Sequence, residues 1–390
     1  MIRYSKIPHS VRILLTNRCN LNCNFCLIDA QKNANKEELQ TNDWLNFFER
    51  LKELRVFNVS ISGGEIFLRN DLLVLLKKLR ENRMHRITLL TNGTLITEEI
   101  ANQLNELNIK NISISVDGLE ETHDQIRGTG SFQKTIKGIL NLINIGVKPM
   151  ISFTPVRSNY KELRGLIDII SSMGLPSIQV NTLSPEGRCI NIYEEIVLEF
   201  PNQVKEVLDV VEEKKKEYPD IEIKCHMGFH YRLPQSYQYY QKNPGNYEIK
   251  HLKDGCGAAS TSCTITSTGN VIPCEGLSTF LGGNIREQDL LEIWNNSENF
   301  KIIRDLAKVS MDQNPYCKDC KYIYLCDGGC RATAHLVYGD LLAPCITCPF
   351  CERAQLIKSS GNEGELNGNQ TNVKKAGDKC TNTSTDTSYQ

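Results

Sequence analysis

The chain has 390 residues, 40% of them apolar, and 45 Lys and Arg against 46 Asp and Glu. That balance offers no electrostatic case for nucleic acid or an acidic membrane surface as a partner, and no apolar run reaches the ~20 residues of a spanning helix. The start, Met1-Ile2-Arg3-Tyr4-Ser5-Lys6, lacks an apolar signal core, so a soluble, cytoplasmic protein is expected, and its sixteen Cys read as metal ligands in preference to disulfides.

Along the chain, short β-type runs alternate with amphipathic helical stretches. Strands are predicted at 11–16, 58–62, 86–91, 111–116, 150–154 and 177–181, and helices at 44–54, 71–80, 97–107, 131–145, 160–173 and 202–217. Six strand–helix units in succession predict an α/β fold with a parallel sheet and helices outside it. The arrangement is either a partial (β/α)6 TIM-type barrel or a doubly wound sheet. In both, chemistry belongs at the carboxyl ends of the strands.

The unusual residues fall at that rim. Cys19, Cys23 and Cys26 form C-x-x-x-C-x-x-C just after the first run. Three thiolates from one loop can hold three irons of a four-iron cluster and leave the fourth open to bind and reduce a ligand. The competing reading is a zinc knuckle, which wants a closed set of four ligands; the nearest other candidates are His9 and His85. Gly63-Gly64-Glu65 follows the second run, Thr91-Asn92-Gly93 the third, and Ser115-Val116-Asp117-Gly118 ends the fourth. Gly63 and Gly64 allow a close backbone approach to a ligand.

Residues 219–253 are mixed and Tyr-rich, and read as the way out of the barrel. Ten of the thirteen remaining Cys lie between Cys256 and Cys351, which marks a second metal region. Cys189 and Cys225 read as buried thiols. From 359 to 390 the chain is Asn, Thr, Ser, Gly and charge, too poor in apolar residues to order itself, and is expected to be a disordered polar tail. The expected domains are 1–235, 236–358 and the tail.

The Cys19–Cys26 motif with Gly63-Gly64-Glu65 resembles the radical S-adenosylmethionine enzymes, with Ile66 where many relatives carry Pro. The resemblance covers about the first 235 residues. It implies a 4Fe-4S cluster on Cys19, Cys23 and Cys26 whose open iron takes the amino and carboxylate groups of S-adenosylmethionine, reductive cleavage to a 5′-deoxyadenosyl radical, and an electron donor such as flavodoxin or ferredoxin. Glu65 or the neighbouring carbonyls would receive the methionine ammonium, Ser115 would bond ribose or carboxylate, and Arg127 would pair with the carboxylate. Downstream, Cys317-x2-Cys320-x5-Cys326-x3-Cys330 resembles the SPASM extension, which implies two auxiliary 4Fe-4S clusters. Cys256, Cys263, Cys274 and Cys330 would hold the first; Cys317, Cys320, Cys326 and Cys348 the second, with Cys345 and Cys351 competing for the last place.

Enzymes with this extension commonly modify peptides. The chain is most similar to peptide maturases of the pyrroloquinoline quinone and mycofactocin kind, a likeness to which Ser184-Pro185-Glu186-Gly187-Arg188 adds. Only 18 residues precede Cys19, so a peptide or small-protein substrate is expected to bind the barrel mouth directly or through a separate leader-binding protein. Glu275, directly after Cys274, stands where sulfatase formylglycine maturases carry an Asp base; an exposed loop carboxylate is the alternative. A second expectation is tetrapyrrole side-chain modification, since some haem-pathway enzymes share a motif like Cys326-Asp327-Gly328-Gly329-Cys330-Arg331-Ala332.

Overall fold

The computed structural model describes residues 4–33, 37–227, 233, 237–238, 241–242, 256–306, 316–326, 328–346, 348 and 350. The expected tail and Cys351 lie outside these. The chain packs as two compact units, residues 1–228 with 257–306, and residues 229–256 with 307–390.

The first unit is built on one open ten-stranded sheet in the order β10-β9-β8-β1-β2-β3-β4-β5-β6-β7. Strands β1 (Ser10–Leu14), β2 (Asn58–Ser62), β3 (Arg86–Thr91), β4 (Asn111–Ser115), β5 (Met150–Phe153) and β6 (Ser177–Val180) are the six predicted runs. All pair in parallel with their neighbours. Their helices are α1 (Thr41–Glu53), α2 (Leu72–Glu81), α3 (Glu98–Glu106), α4 (Glu120–Arg127), α5 (Ser131–Asn144), α6 (Leu163–Ser172), α7 (Tyr193–Ile196) and α8 (Asn202–Glu217). Strand alternation explains the layering. Val11, Ile13, Val59, Ile61, Ile151 and Phe153 are buried on one face, under helices such as α1, which turns Trp44, Phe47, Phe48 and Leu51 inward at helical spacing.

The alternate residues make the other, inner wall. Cross-strand register places Thr264, Arg12, Ser60 and Thr88 in one row, Leu90, Ser113 and Met150 in a second, and Ser115, Ser152 and Gln179 in a third. This wall is mostly neutral and hydrogen-bonding.

Three features exceed the predicted six units. A seventh parallel strand, β7 (Glu222–Cys225), follows α8 and pairs with β6. On the opposite side, β8 (Ser262–Ile265) lies parallel to β1 and is extended by antiparallel β9 (Asn270–Ile272) and β10 (Gly283–Asn284). Helices α9 (Leu290–Asn296) and α10 (Glu298–Leu306) complete this unit, burying Trp294 edge-on to Phe300. Thus 257–306 packs with the barrel strands. No helix among the described residues is long and apolar enough to cross a membrane.

The second unit holds α11 (Ile323–Cys326) and α12 (Arg331–Tyr338). Its described core is Leu233, Tyr322 and Leu325, with Tyr237 and Phe350 packed against Tyr322. Gly339 ends α12 in the left-handed conformation, φ 67°.

Candidate active site

The loop after β1 is tied back on itself. The Cys19 N–H donates to the Gln31 carbonyl at 2.7 Å, and the Gln31 N–H to the Asn17 carbonyl at 2.9 Å. Buried Glu38 splints the loop's entry by accepting from the Thr16 hydroxyl at 3.0 Å and the Asn17 N–H at 2.6 Å. The three sulfurs each face a donor. Leu21 N–H points at Cys19 Sγ (3.4 Å), Ala30 N–H at Cys26 Sγ (3.4 Å) and Arg127 Nη1 at Cys23 Sγ (3.8 Å).

Burial pushes the Cys19 thiol up to about 11, opposed by the Leu21 N–H and reinforced by the charges of Glu65, Cys23 and Cys26. Burial also raises Cys23, with Arg127 opposing it. Donors aimed at each sulfur suit metal-bound thiolates. This donor set fits a 4Fe-4S cluster on Cys19, Cys23 and Cys26.

Gly63 and Gly64 lie directly against this loop. The Gly64 N–H donates to Thr16 O and the Glu65 N–H to Arg18 O, both at 2.8 Å. A methyl group on Gly63 would overlap the Thr16 carbonyl, and one on Gly64 the Arg18 carbonyl. Gly63 also sits at φ 140°, where side chains are disfavoured.

Glu65 anchors the rim. Its carboxylate is fully buried. One oxygen accepts from the Phe67 N–H (3.2 Å) and Thr91 hydroxyl (2.7 Å), the other from the Asn92 N–H (2.9 Å) and the same hydroxyl (2.9 Å). Burial raises its carboxyl against these donors. Through these bonds Glu65 ties the loops after β2 and β3 together.

Arg127 is also engaged. At the end of α4 it forms a fork on Asp117 Oδ2, with Nε at 2.7 Å and Nη2 at 2.6 Å. Asp117 Oδ1 in turn accepts the Thr154 N–H at 2.9 Å. Burial opposes the Arg127 charge, but Asp117 and Cys23 more than offset this and raise it. The guanidinium therefore faces the cysteine loop as a fixed cation. Ser115 closes β4 on the inner wall beside Ser152, half-buried. Asn92, absent from the expected site, reaches Cys19 Sγ (3.9 Å) and bonds Asn20 (2.9 Å); its place at the end of β3 was the available signal.

Glu275 is no solvated loop residue. Its side chain is 11% exposed and pairs with Arg12 of the inner wall at 2.9 Å. The nearby Glu186, bonded by the Ser184 hydroxyl at 2.6 Å, is raised by burial and further by the Glu275 charge.

In the second unit Cys317, Cys320, Cys326, Cys345 and Cys348 line one cavity with Leu233 and Phe350. Burial raises Cys326 strongly, and Cys348, Cys345 and Cys317 add to it. Cys330 caps α12 and is raised by burial, with Cys345 and Cys256 adding to it. The Thr333 hydroxyl lies 3.5 Å from Cys345 Sγ. In the first unit, half-buried Cys274 leads into the Glu275 turn. Cys263 pairs in register with Val11, so it faces the helix side of the sheet, where burial pushes it up to about 12. Cys189 is a buried thiol, as expected.

Residues 13–170 match the Radical SAM superfamily, and residues 256–321 match SPASM, an iron-sulfur cluster-binding domain. An AdoMet-dependent heme synthase of Methanosarcina barkeri is 30% identical over 348 residues, spanning 88% of this chain and 96% of that protein. The mycofactocin maturase MftC of Mycolicibacterium smegmatis is 28% identical over 323 residues, 82% of this chain and 76% of that one. In fold, the chain is similar to Streptococcus suis SuiB bound to its precursor peptide SuiA, with a TM-score of 0.69 at 21% identity over 88% of this chain and 76% of that one. The chain belongs to the radical S-adenosylmethionine superfamily and carries a SPASM iron–sulfur domain, so it is an enzyme of S-adenosylmethionine, a 4Fe-4S cluster and auxiliary clusters.

Proposed function

We propose that this enzyme modifies a peptide or small protein, forming a thioether or carbon–carbon crosslink or making a related oxidation. The observation that carries this reading is the inner wall. In its three rows the cations are Arg12, which Glu275 neutralises at 2.9 Å, and Lys224, which follows Gln179 in register and pairs with Glu222 at 3.0 Å. Ser60, Thr88, Ser113, Ser115, Ser152 and Gln179 offer neutral donors and acceptors suited to amides, whereas a tetrapyrrole bearing several carboxylates calls for unpaired cations. SuiB, similar to this chain in fold, is bound to a precursor peptide, which points the same way.

When bound, the clusters supply the electron that cleaves S-adenosylmethionine and a sink for the electron released as the new bond forms. The chain's own part is to position and to move a proton. Ser115 meets ribose or carboxylate, the Gly63–Gly64 backbone meets the ammonium, and Glu275 takes the proton lost from the substrate. In the second unit, Cys256 and Cys330 serve the first auxiliary cluster, and Cys317, Cys320, Cys326 and Cys348 serve the second. Cys263, also expected for the first, has the surroundings of a core thiol. Cys263→Ala is therefore expected to keep the wild-type iron content; loss of about four irons would restore it as a ligand.

A tetrapyrrole reading is favoured by one finding, the heme synthase relative matched along 96% of its length. Incubating reduced enzyme and S-adenosylmethionine with Cys- or Ser/Thr-rich peptides, alone and with a leader-binding protein, and separately with iron coproporphyrin, separates the two. The proposal expects a peptide product two hydrogens lighter; decarboxylated porphyrin with unaltered peptides would overturn it. With flavodoxin or ferredoxin as donor, Glu275→Gln is expected to keep 5′-deoxyadenosine formation while slowing product by ~10²-fold or more, the usual scale for a lost general base. Equal product rates would remove Glu275 from the chemistry.

A further inference from the structure

The loop after β6 grips the three-cysteine loop. The Arg188 N–H donates to the Cys26 carbonyl at 3.0 Å. Its side chain donates from Nε to the Cys23 carbonyl at 3.0 Å, and from Nη1 to the Ala30 carbonyl at 2.6 Å and to Asp29 at 2.9 Å. Gly187, at φ 56°, lies so close that a methyl group there would overlap the carbonyls of Cys26 and Leu27. The three-cysteine loop is also tied to α4, where the Asn24 N–H donates to the Ile126 carbonyl at 3.2 Å.

We infer that Arg188 is a positioning residue for the first cluster. Its fork ties together the carbonyls of Cys23 and Ala30, while its own N–H holds that of Cys26, so the residue fixes the spacing of two of the three thiolates. Asp29 holds the fork in place. A guanidinium suits this because one rigid plane can serve several carbonyls at once. Its charge has a second effect. A cation held 3.0 Å from the Cys23 carbonyl favours added negative charge on this loop. Outer-shell partners of this kind commonly change metal retention by about 10–100-fold when removed. The inference rests on the family, and is independent of the substrate.

The test compares reconstituted wild type, Arg188→Met and Arg188→Lys, with no turnover. Iron release to a chelator is followed with time, and the midpoint potential is taken from the paramagnetic signal that responds to S-adenosylmethionine. In Arg188→Met, about four irons are expected to leave at least ~10-fold faster than in wild type while the rest leave at the wild-type rate. The midpoint potential should fall. Arg188→Lys keeps the charge and loses the fork, so its potential should stay near wild type while its fast phase persists. Uniform release from all clusters, wild-type release, or an unmoved potential in Arg188→Met would overturn the inference.

Discussion

Replacing Gly64 by Ala is expected to abolish S-adenosylmethionine cleavage. The added methyl group would overlap the Arg18 carbonyl and lie 3.1 Å from the Cys19 N–H nitrogen. Both contacts are backbone, so no side chain can swing aside, and the loop that bears the thiolates has to move. Overpacking of this kind costs about 1–3 kcal/mol. The functional loss is larger, because a ~1 Å misplacement of a reacting constellation costs ~10²-fold. The measurements are iron content and 5′-deoxyadenosine release under anoxic reducing conditions. Both should fall, iron by about four atoms and the product at least ~100-fold. A Gly64→Ala protein with wild-type iron and product would mean that this segment does not abut the cysteine loop in the working enzyme.

The second large effect is expected at Glu65. Each of its carboxylate oxygens accepts a backbone N–H, from Phe67 on one side and Asn92 on the other. In Glu65→Gln the amide NH2 must face one of these donors whichever way it is turned. A buried donor pair left without acceptors costs about 1–3 kcal/mol, and a unit of this size loses about 2–4 °C in Tm per kcal/mol. Glu65→Gln should thus unfold at lower temperature and bind S-adenosylmethionine more weakly, because the loops after β2 and β3 lose their common anchor. The checks are a thermal melt and equilibrium dialysis against labelled S-adenosylmethionine. A variant equal to wild type in both would show that the carboxylate is dispensable to the rim.

Much of this was legible in the chain because strand alternation is a local signal. Val11 and Ile13, Val59 and Ile61, Ile87 and Leu89 announce buried faces without knowledge of their partners. The rim position of the cysteines, Gly63-Gly64-Glu65 and Ser115 follows from the same pattern. What was missed depends on partners distant in sequence or on polar composition. Strand β7 alternates Glu222 and Lys224 with Ile223 and Cys225 at a sheet edge, too short and too charged to stand out. Helix α4 is Glu-Glu-Thr-His-Asp-Gln-Ile-Arg, and only His123 and Ile126 turn inward.

The pairing of β8 with β1 decides which way Cys263 and Thr264 point, and spacing between cysteines carries no such information. Likewise, the pairing of Arg127 with Asp117 could not be read from the residues alone. Glu275 shows the opposite case: a residue flagged only by its place after Cys274 turns out to reach the inner wall through Arg12.

The central claim is that Cys19, Cys23 and Cys26 make a centre that cleaves S-adenosylmethionine. Its most direct test is 5′-deoxyadenosine released per chain by anoxically reconstituted, reduced protein, measured beside iron content in wild type and in Cys23→Ala. Wild type is expected to hold about twelve irons and to release 5′-deoxyadenosine, and Cys23→Ala to hold about eight and release none above background. Zinc in place of iron, or equal release by the two proteins, would contradict the account.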